Sequence, residues 1–232
     1  MNEFAIAYYA GQSDRDYIVL GKTGEQAAHT ALHEYSHLVL RHAGYRLPPW
    51  LNEGLAEYFS TTQTVGGDTT FGDIIPGRLQ QLRATGWVPL ATILAADQDS
   101  PYYNEGKRAG SLYNQGWALT HMLFSSPEYS PKFQDLLNAI QNGTPSAQAL
   151  EQVYGKPLAK IEEELQFYIR GSSFFRRVAK IKLENIDKLP STPASLYDVR
   201  LLQGDLWMSL KDHQDDARKR FEELGRRRSQ AA

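Results

Sequence analysis

Leu51, Leu55 and Phe59 recur at i, i+4 and i+8 behind Pro48-Pro49. This is the spacing of one buried helix face, with proline in the first turn where its missing N–H costs nothing. Glu53 and Glu57 fall four apart on another face of the same predicted helix. Upstream, Glu25 to His42 contains no Pro or Gly and is rich in Ala and Leu, which predicts a helix. Thr23-Gly24-Glu25-Gln26 has the T-x-x-Q form of a capping box at its start, and Gly44 stands where it should stop. Phe4 to Tyr9 and Tyr17 to Leu20 are apolar and aromatic and flank the turn signal Gly11-Gln12-Ser13-Asp14, so the chain is expected to open with a β-hairpin.

Beyond the second helix, Thr61 to Phe71 is rich in Thr and Gly and reads as a loop. Pro76 to Thr85 and Pro89 to Ala96 read as short helices, Pro101 to Gly106 as a polar and aromatic loop, and Lys107 to Phe124 as a long helix. Pro131 to Gln141, Pro145 to Tyr154 and Pro157 to Arg170 each carry Pro near the start, and Gly143, Gly155 and Gly171 punctuate their ends. Arg177 to Leu183 alternates basic and apolar residues, as a strand with one wet face does. After the boundary signal Pro190-Ser191-Thr192-Pro193, Leu196 to Leu210 and Asp215 to Arg228 predict a helical hairpin. The fold class expected is α+β, mostly helical: a domain over 1–172 with a small N-terminal β-hairpin, a connector over 173–190, and a helical hairpin over 191–232.

Composition narrows the chemistry. With 41% hydrophobic residues in 232 a sizeable core is expected, and a net charge of −2 argues against nucleic acid as a partner. The chain has no cysteine, so disulfides and Cys-based metal sites are excluded and any zinc must use His and carboxylates. Met1 to Phe4 has no basic start and no long apolar run, and no segment approaches the length of a membrane span. A soluble chain is expected, with export not excluded if a leader has been trimmed.

The candidate chemistry lies on the two predicted helices. His33-Glu34-Tyr35-Ser36-His37 reads H-E-x-x-H, and on a helix the imidazoles at i and i+4 project from one face and can share one metal ion. Zinc suits such a pair, given a third protein ligand and an open position for water. Spacing alone allows Glu53 or Glu57 as that ligand, with the other orienting a ligand imidazole through its second nitrogen. Glu34 is adjacent to His33 and is the candidate general base. His29, one turn before His33, is expected to line the cleft or pack, and His121 to pack.

H-E-Y-S-H followed by L-P-P-W-L-N-E-G-L-A-E-Y-F resembles the gluzincin metallopeptidases, in particular the peptidase MA-like group, over about Tyr17 to Arg170. W-L-N-E-G also resembles the zinc stretch of the M1 aminopeptidases. The resemblance implies one zinc ion held by His33, His37 and Glu53, with Glu34 as general base, Glu57 as a partner of a ligand imidazole, and a peptide or protein substrate. It also implies a sheet before the first helix whose edge strand pairs with extended substrate. Tyr113-Asn114-Gln115-Gly116-Trp117 resembles the helix that supplies the oxyanion tyrosine in M1-like enzymes, making Tyr113 the candidate donor. Two departures stand out: the spacer from His37 to Glu53 is shorter than in M1 enzymes, and the G-x-M-E-N stretch that grips a free substrate N-terminus is missing. Leu202-Gln203-Gly204-Asp205-Leu206 and Asp216 to Phe221 resemble part of a tetratricopeptide repeat, with one residue too many between Gly204 and Ala217. A single repeat leaves an apolar face to cover, which points to a protein partner for the hairpin or to packing on the first domain. The competing expectation is a peptidase-like scaffold, stabilised by zinc and acting through such a partner.

Overall fold

The structure is a computed structural model that describes residues 7–12, 15–21, 25–65, 67–84, 86–104, 106–181 and 192–230. The capping box at Thr23 and the side chains of Asn104 and Glu105 lie outside the described positions. The protein is α+β and mostly helical, with a two-stranded sheet at the start and a helix pair at the end. Among the described residues no helix is long and apolar enough to cross a membrane.

The hairpin is β1 (Ala7–Gly11) and β2 (Asp16–Leu20). Helix α1 (Glu25–His42) follows, and its end is a Schellman closure. Gly44 adopts φ +77°, its N–H reaches Arg41 O, and the Tyr45 N–H reaches back to Leu40 O. This turn directs the chain into α2 (Pro49–Ser60), which begins at the proline pair as the sequence implies.

Thr61 to Phe71, expected as a loop, instead contains β3 (Gln63–Val65) and β4 (Asp68–Phe71). β4 pairs antiparallel with β3 on one side and with β5 (Arg177–Lys180) on the other, Thr69 facing Ala179 and Phe71 facing Arg177. The Thr and Gly content that suggested a loop is the chemistry of a short hairpin whose turn includes Gly67 at φ +89°. The pairing with β5 spans more than a hundred residues, beyond the reach of any local signal. Pro101 to Asn104, also expected as loop, forms one helical turn, α5.

Helices α3 (Pro76–Ala84), α4 (Leu90–Ala95), α6 (Gly106–Ser125), α7 (Phe133–Gln141), α8 (Ser146–Tyr154) and α9 (Leu158–Arg170) complete this part of the chain close to their expected bounds. α2 packs between α1 and α6. Its fully buried Trp50 and Leu51 meet Trp117, Leu119 and Leu123 of α6 in one core with α4, α7, α8 and α9. The α2–α6 crossing is tight because glycine stands on both sides. A Cβ on Gly54 would lie 2.1 Å from Thr120 Oγ1, and one on Gly116 would lie 2.7 Å from the Trp50 carbonyl oxygen.

The chain divides into two units, 1–9 with 18–182 and 10–17 with 183–232. In the second, α10 (Leu196–Met208) and α11 (Gln214–Gln230) form the expected helical hairpin. The Ser195 hydroxyl caps α10 by accepting from the Asp198 N–H, and Gly204 lets the Phe221 ring of α11 approach where a Cβ would stand 2.8 Å from it. Tyr17 donates to the Asp205 carboxylate within the same unit.

Candidate metal centre

α1 and α2 are amphipathic in an unusual way, because the faces they turn toward one another carry acids and imidazoles. Glu53 and Glu57 are only 3% and 4% exposed, and Glu34 is also buried. A buried carboxylate is costly unless something pairs with it, so the placement of its partners decides whether such helices can pack.

For Glu53 the partners are His33 and His37. The Nε2 atoms of the two imidazoles lie 3.2 Å apart, and Glu53 Oε2 stands 3.3 Å from the first and 3.6 Å from the second. Bonds of ~2.0–2.1 Å to a tetrahedral ion put its ligand atoms ~3.3–3.4 Å apart, so the observed triangle matches three corners of a zinc site. The H-E-x-x-H spacing produces the pair because one helical turn stacks the two rings on one face, here edge to face with centroids 4.9 Å apart. Among the described residues, the half-buried His33 and His37 and the buried Glu53 form a group that could hold a metal ion.

Burial alone would raise the Glu53 carboxyl, but the two imidazoles facing it outweigh that and hold it at about 2. Burial works against charge on His37, yet the facing Glu53 carboxylate and the charge of Glu34 outweigh it, and its pKa rises. Asn52, the neighbour of Glu53 on α2, also favours the charged form of His37. Glu34 goes the other way: burial raises its pKa, opposed by His33, His37 and a hydrogen bond from the Tyr9 backbone on β1. β1 therefore lies against the general-base candidate. The Tyr9 hydroxyl is bound in turn by Arg41 of α1, at 3.1 Å.

Glu57 lies one turn beyond Glu53, with its Oε1 3.4 Å from His33 Nδ1, the nitrogen that faces away from the triangle. Of the two α2 glutamates, then, Glu53 reaches both Nε2 atoms and Glu57 reaches the far side of one ring. The Glu57 carboxylate is also gripped by Arg78 of α3, whose Nε donates to Oε2 at 2.9 Å while Nη2 donates to Oε1. Arg78 Nη1 donates to Asn114 Oδ1 on α6 at 2.9 Å, and the guanidinium lies 5.6 Å from the centroid of the Tyr113 ring. Tyr113 is half-buried beside this network.

Arg78 belongs to no motif, and Asn114 lies in the Tyr113 stretch without a role of its own there. They stand 21 and 36 positions from the residues they serve, so only the folded chain brings them together. The one local hint was a charged residue in a short helix that also supplies core leucines.

His29 is absent from the triangle. Its Nε2 meets Ser60 Oγ at 2.8 Å, and the two residues line a depression of about 350 Å³ together with Thr61 and Asp73. His121 is packed, as expected. It is 1% exposed, with Nε2 donating to Gly72 O at 2.9 Å and Nδ1 accepting from the Tyr168 hydroxyl at 2.7 Å. A carbonyl can only accept, so this pairing selects the neutral Nε2–H tautomer.

No protein-family model, curated protein or solved structure matches the chain. The functional reading therefore stands on the geometry of the centre and on the motifs that build it.

Proposed function

We propose that the protein is a zinc-dependent peptidase of gluzincin type, and that His33, His37 and Glu53 hold one zinc ion. The observation that carries this reading is the triangle of Nε2, Nε2 and Oε2 at 3.2, 3.3 and 3.6 Å with a buried carboxylate, Glu34, beside it. Two neutral imidazoles and one carboxylate are a common donor set for catalytic zinc. When bound there, zinc acts as a Lewis acid that acidifies water and polarises a carbonyl.

The chain's own groups divide the remaining work. Glu34 takes the proton of the attacking water and passes it to the leaving amine. Burial raises its pKa, and this suits a carboxylate that must hold a proton briefly and then release it. Glu57, with its Oε1 3.4 Å from His33 Nδ1, is proposed to accept from Nδ1–H, which would select the tautomer that leaves Nε2 free to bind. Tyr113 is proposed to donate to the carbonyl oxygen as negative charge develops on it. Its place beside Arg78 and next to Asn114 on α6 ties it to the elements that build the centre.

The test begins with elemental analysis of protein purified without chelators. About one zinc per chain in the wild type, lost in His37→Ala, is expected. A peptide library then reports turnover, with Glu34→Gln keeping zinc and losing cleavage. A wild type that takes up no zinc when supplied with it would sink this reading. Zinc retention with no Glu34-dependent cleavage across the library would favour the scaffold instead.

A further inference from the structure

We propose that Arg78 is a positioning residue for the metal centre: shared between Glu57 and Asn114, its guanidinium holds the Glu57 carboxylate against His33 and so fixes the imidazole that presents Nε2 to the ion. This deepens the zinc reading and rests on it.

Glu57 Oε1 faces His33 Nδ1 and also accepts from Arg78 Nη2, while Oε2 accepts from Arg78 Nε. The fork thus fixes the plane of the carboxylate as well as its charge, which a single-point contact would not do. A glutamate without that clamp could rotate about its outer torsions and move Oε1 away from the imidazole.

The clamp is itself anchored. Arg78 Nη1 donates to Asn114 Oδ1, and Asn114 Nδ2 donates to Gln81 Oε1 at 2.7 Å. Arg78 and Gln81 stand one turn apart on α3, so α3 grips α6 at two points and α2 at a third. An ordinary surface ion pair has neither the buried carboxylate nor the second anchor. Here the glutamate side chain is 5% exposed and the arginine side chain 23% exposed.

A double-mutant cycle on zinc affinity separates positioning from mere support of the fold. The variants are Arg78→Met, Arg78→Lys, Glu57→Gln and the combinations, with zinc affinity read by competition with a chromophoric chelator. Folding is checked by circular dichroism, and the coordination geometry by the visible spectrum of the cobalt(II) form. Arg78→Met is expected to weaken zinc binding about 10–100-fold, the usual loss when an outer partner of a metal ligand is removed. Arg78→Lys, which keeps the charge and loses the fork, should recover part of it. In the Glu57→Gln background the Arg78 substitutions should cost nothing further, because the path runs through Glu57. If Arg78→Met does not fold, Arg78→Lys carries the same cycle. Unchanged affinity in the Arg78 variants, or losses that simply add to that of Glu57→Gln, would overturn the proposal while leaving the zinc site intact. A wild type that binds no zinc would overturn the metal reading itself, and the positioning role with it.

Discussion

His33 and His37 bring their Nε2 atoms to within 3.2 Å of each other over the Glu53 carboxylate. Two imidazole nitrogens at that distance share either a hydrogen bond or a cation. Protons and metal must then compete for the same lone pairs. The folded-state pKa of His37 is raised above 6.5, so it holds a proton more readily than a free imidazole. Zinc affinity is therefore expected to fall as pH is lowered, the fall beginning above pH 6.5. Titration at pH 8 and pH 5.5 checks this. At pH 8, zinc at a hundred times its Kd should add about 2.7 kcal/mol to stability, read as a rise in Tm that a chelator reverses.

Removing either α2 glutamate should weaken metal binding, but unequally. Glu53→Ala removes an atom of the triangle and is expected to abolish stoichiometric zinc. Glu57→Ala leaves the triangle and removes a partner of His33, an expected loss of about 10–100-fold. Equal losses, or a larger one at Glu57, would assign the ligand wrongly.

With a cleaved substrate in hand, Tyr113→Phe is expected to lower kcat by roughly 10²–10³ while KM stays close to wild type, since the hydroxyl acts only as charge develops. Full turnover in Tyr113→Phe would remove it from the mechanism.

Gly54 follows Glu53 at the α2–α6 crossing, where an added methyl would stand 2.1 Å from Thr120 Oγ1 and 2.6 Å from the Gly116 carbonyl oxygen. Backbone cannot yield as a side chain can. Gly54→Ala should cost about 1–3 kcal/mol by overpacking, measured by urea denaturation. Because the strain is relieved by moving α2, zinc affinity should fall in the same variant.

His121 is buried neutral, and burial lowers its pKa, offset in part by the Gly72 carbonyl and the charge of Asp73. With a folded pKa below 6.5, the unfolded chain binds a proton there that the folded chain refuses. The contribution is present above pH 6.5 and is lost as pH falls below it. His37 has the opposite sign, so the net slope mixes the two. His121→Gln can serve both Gly72 and Tyr168 without titrating, and its stability, measured without metal from pH 7 to pH 5, should fall less steeply than that of the wild type.

Most of the helical framework was legible because its signals are local. The proline pair at 48–49, the left-handed Gly44 and the run of helix formers before it act within a few residues, and α1 and α2 begin or end where they direct. The sheet of β3, β4 and β5 was half legible. The alternation after Arg177 marked one strand, but the threonine-rich stretch at 63–71 is a hairpin whose second strand, β4, also pairs with β5. A strand is stabilised by its neighbours, and the neighbour lies a hundred residues away.

The sequence by itself determined the pair of imidazoles, since one helical turn is a local spacing and places His33 and His37 on one face in any context where the helix forms. It also determined that an acid would be offered by the next helix. Spacing left open which acid meets the imidazoles, the resemblance pointed to Glu53, and the tertiary structure brings Glu53 to both rings. The choice between Glu53 and Glu57 depends on the angle and depth at which α2 crosses α1. The depth of α2 against the core rests on the close α2–α6 approach at Gly54 and Gly116, and no periodicity along the chain encodes either packing. The same holds for Arg78: a guanidinium finds two buried partners on different helices only after the core has packed, because the contacts that place it are made by residues distant in sequence.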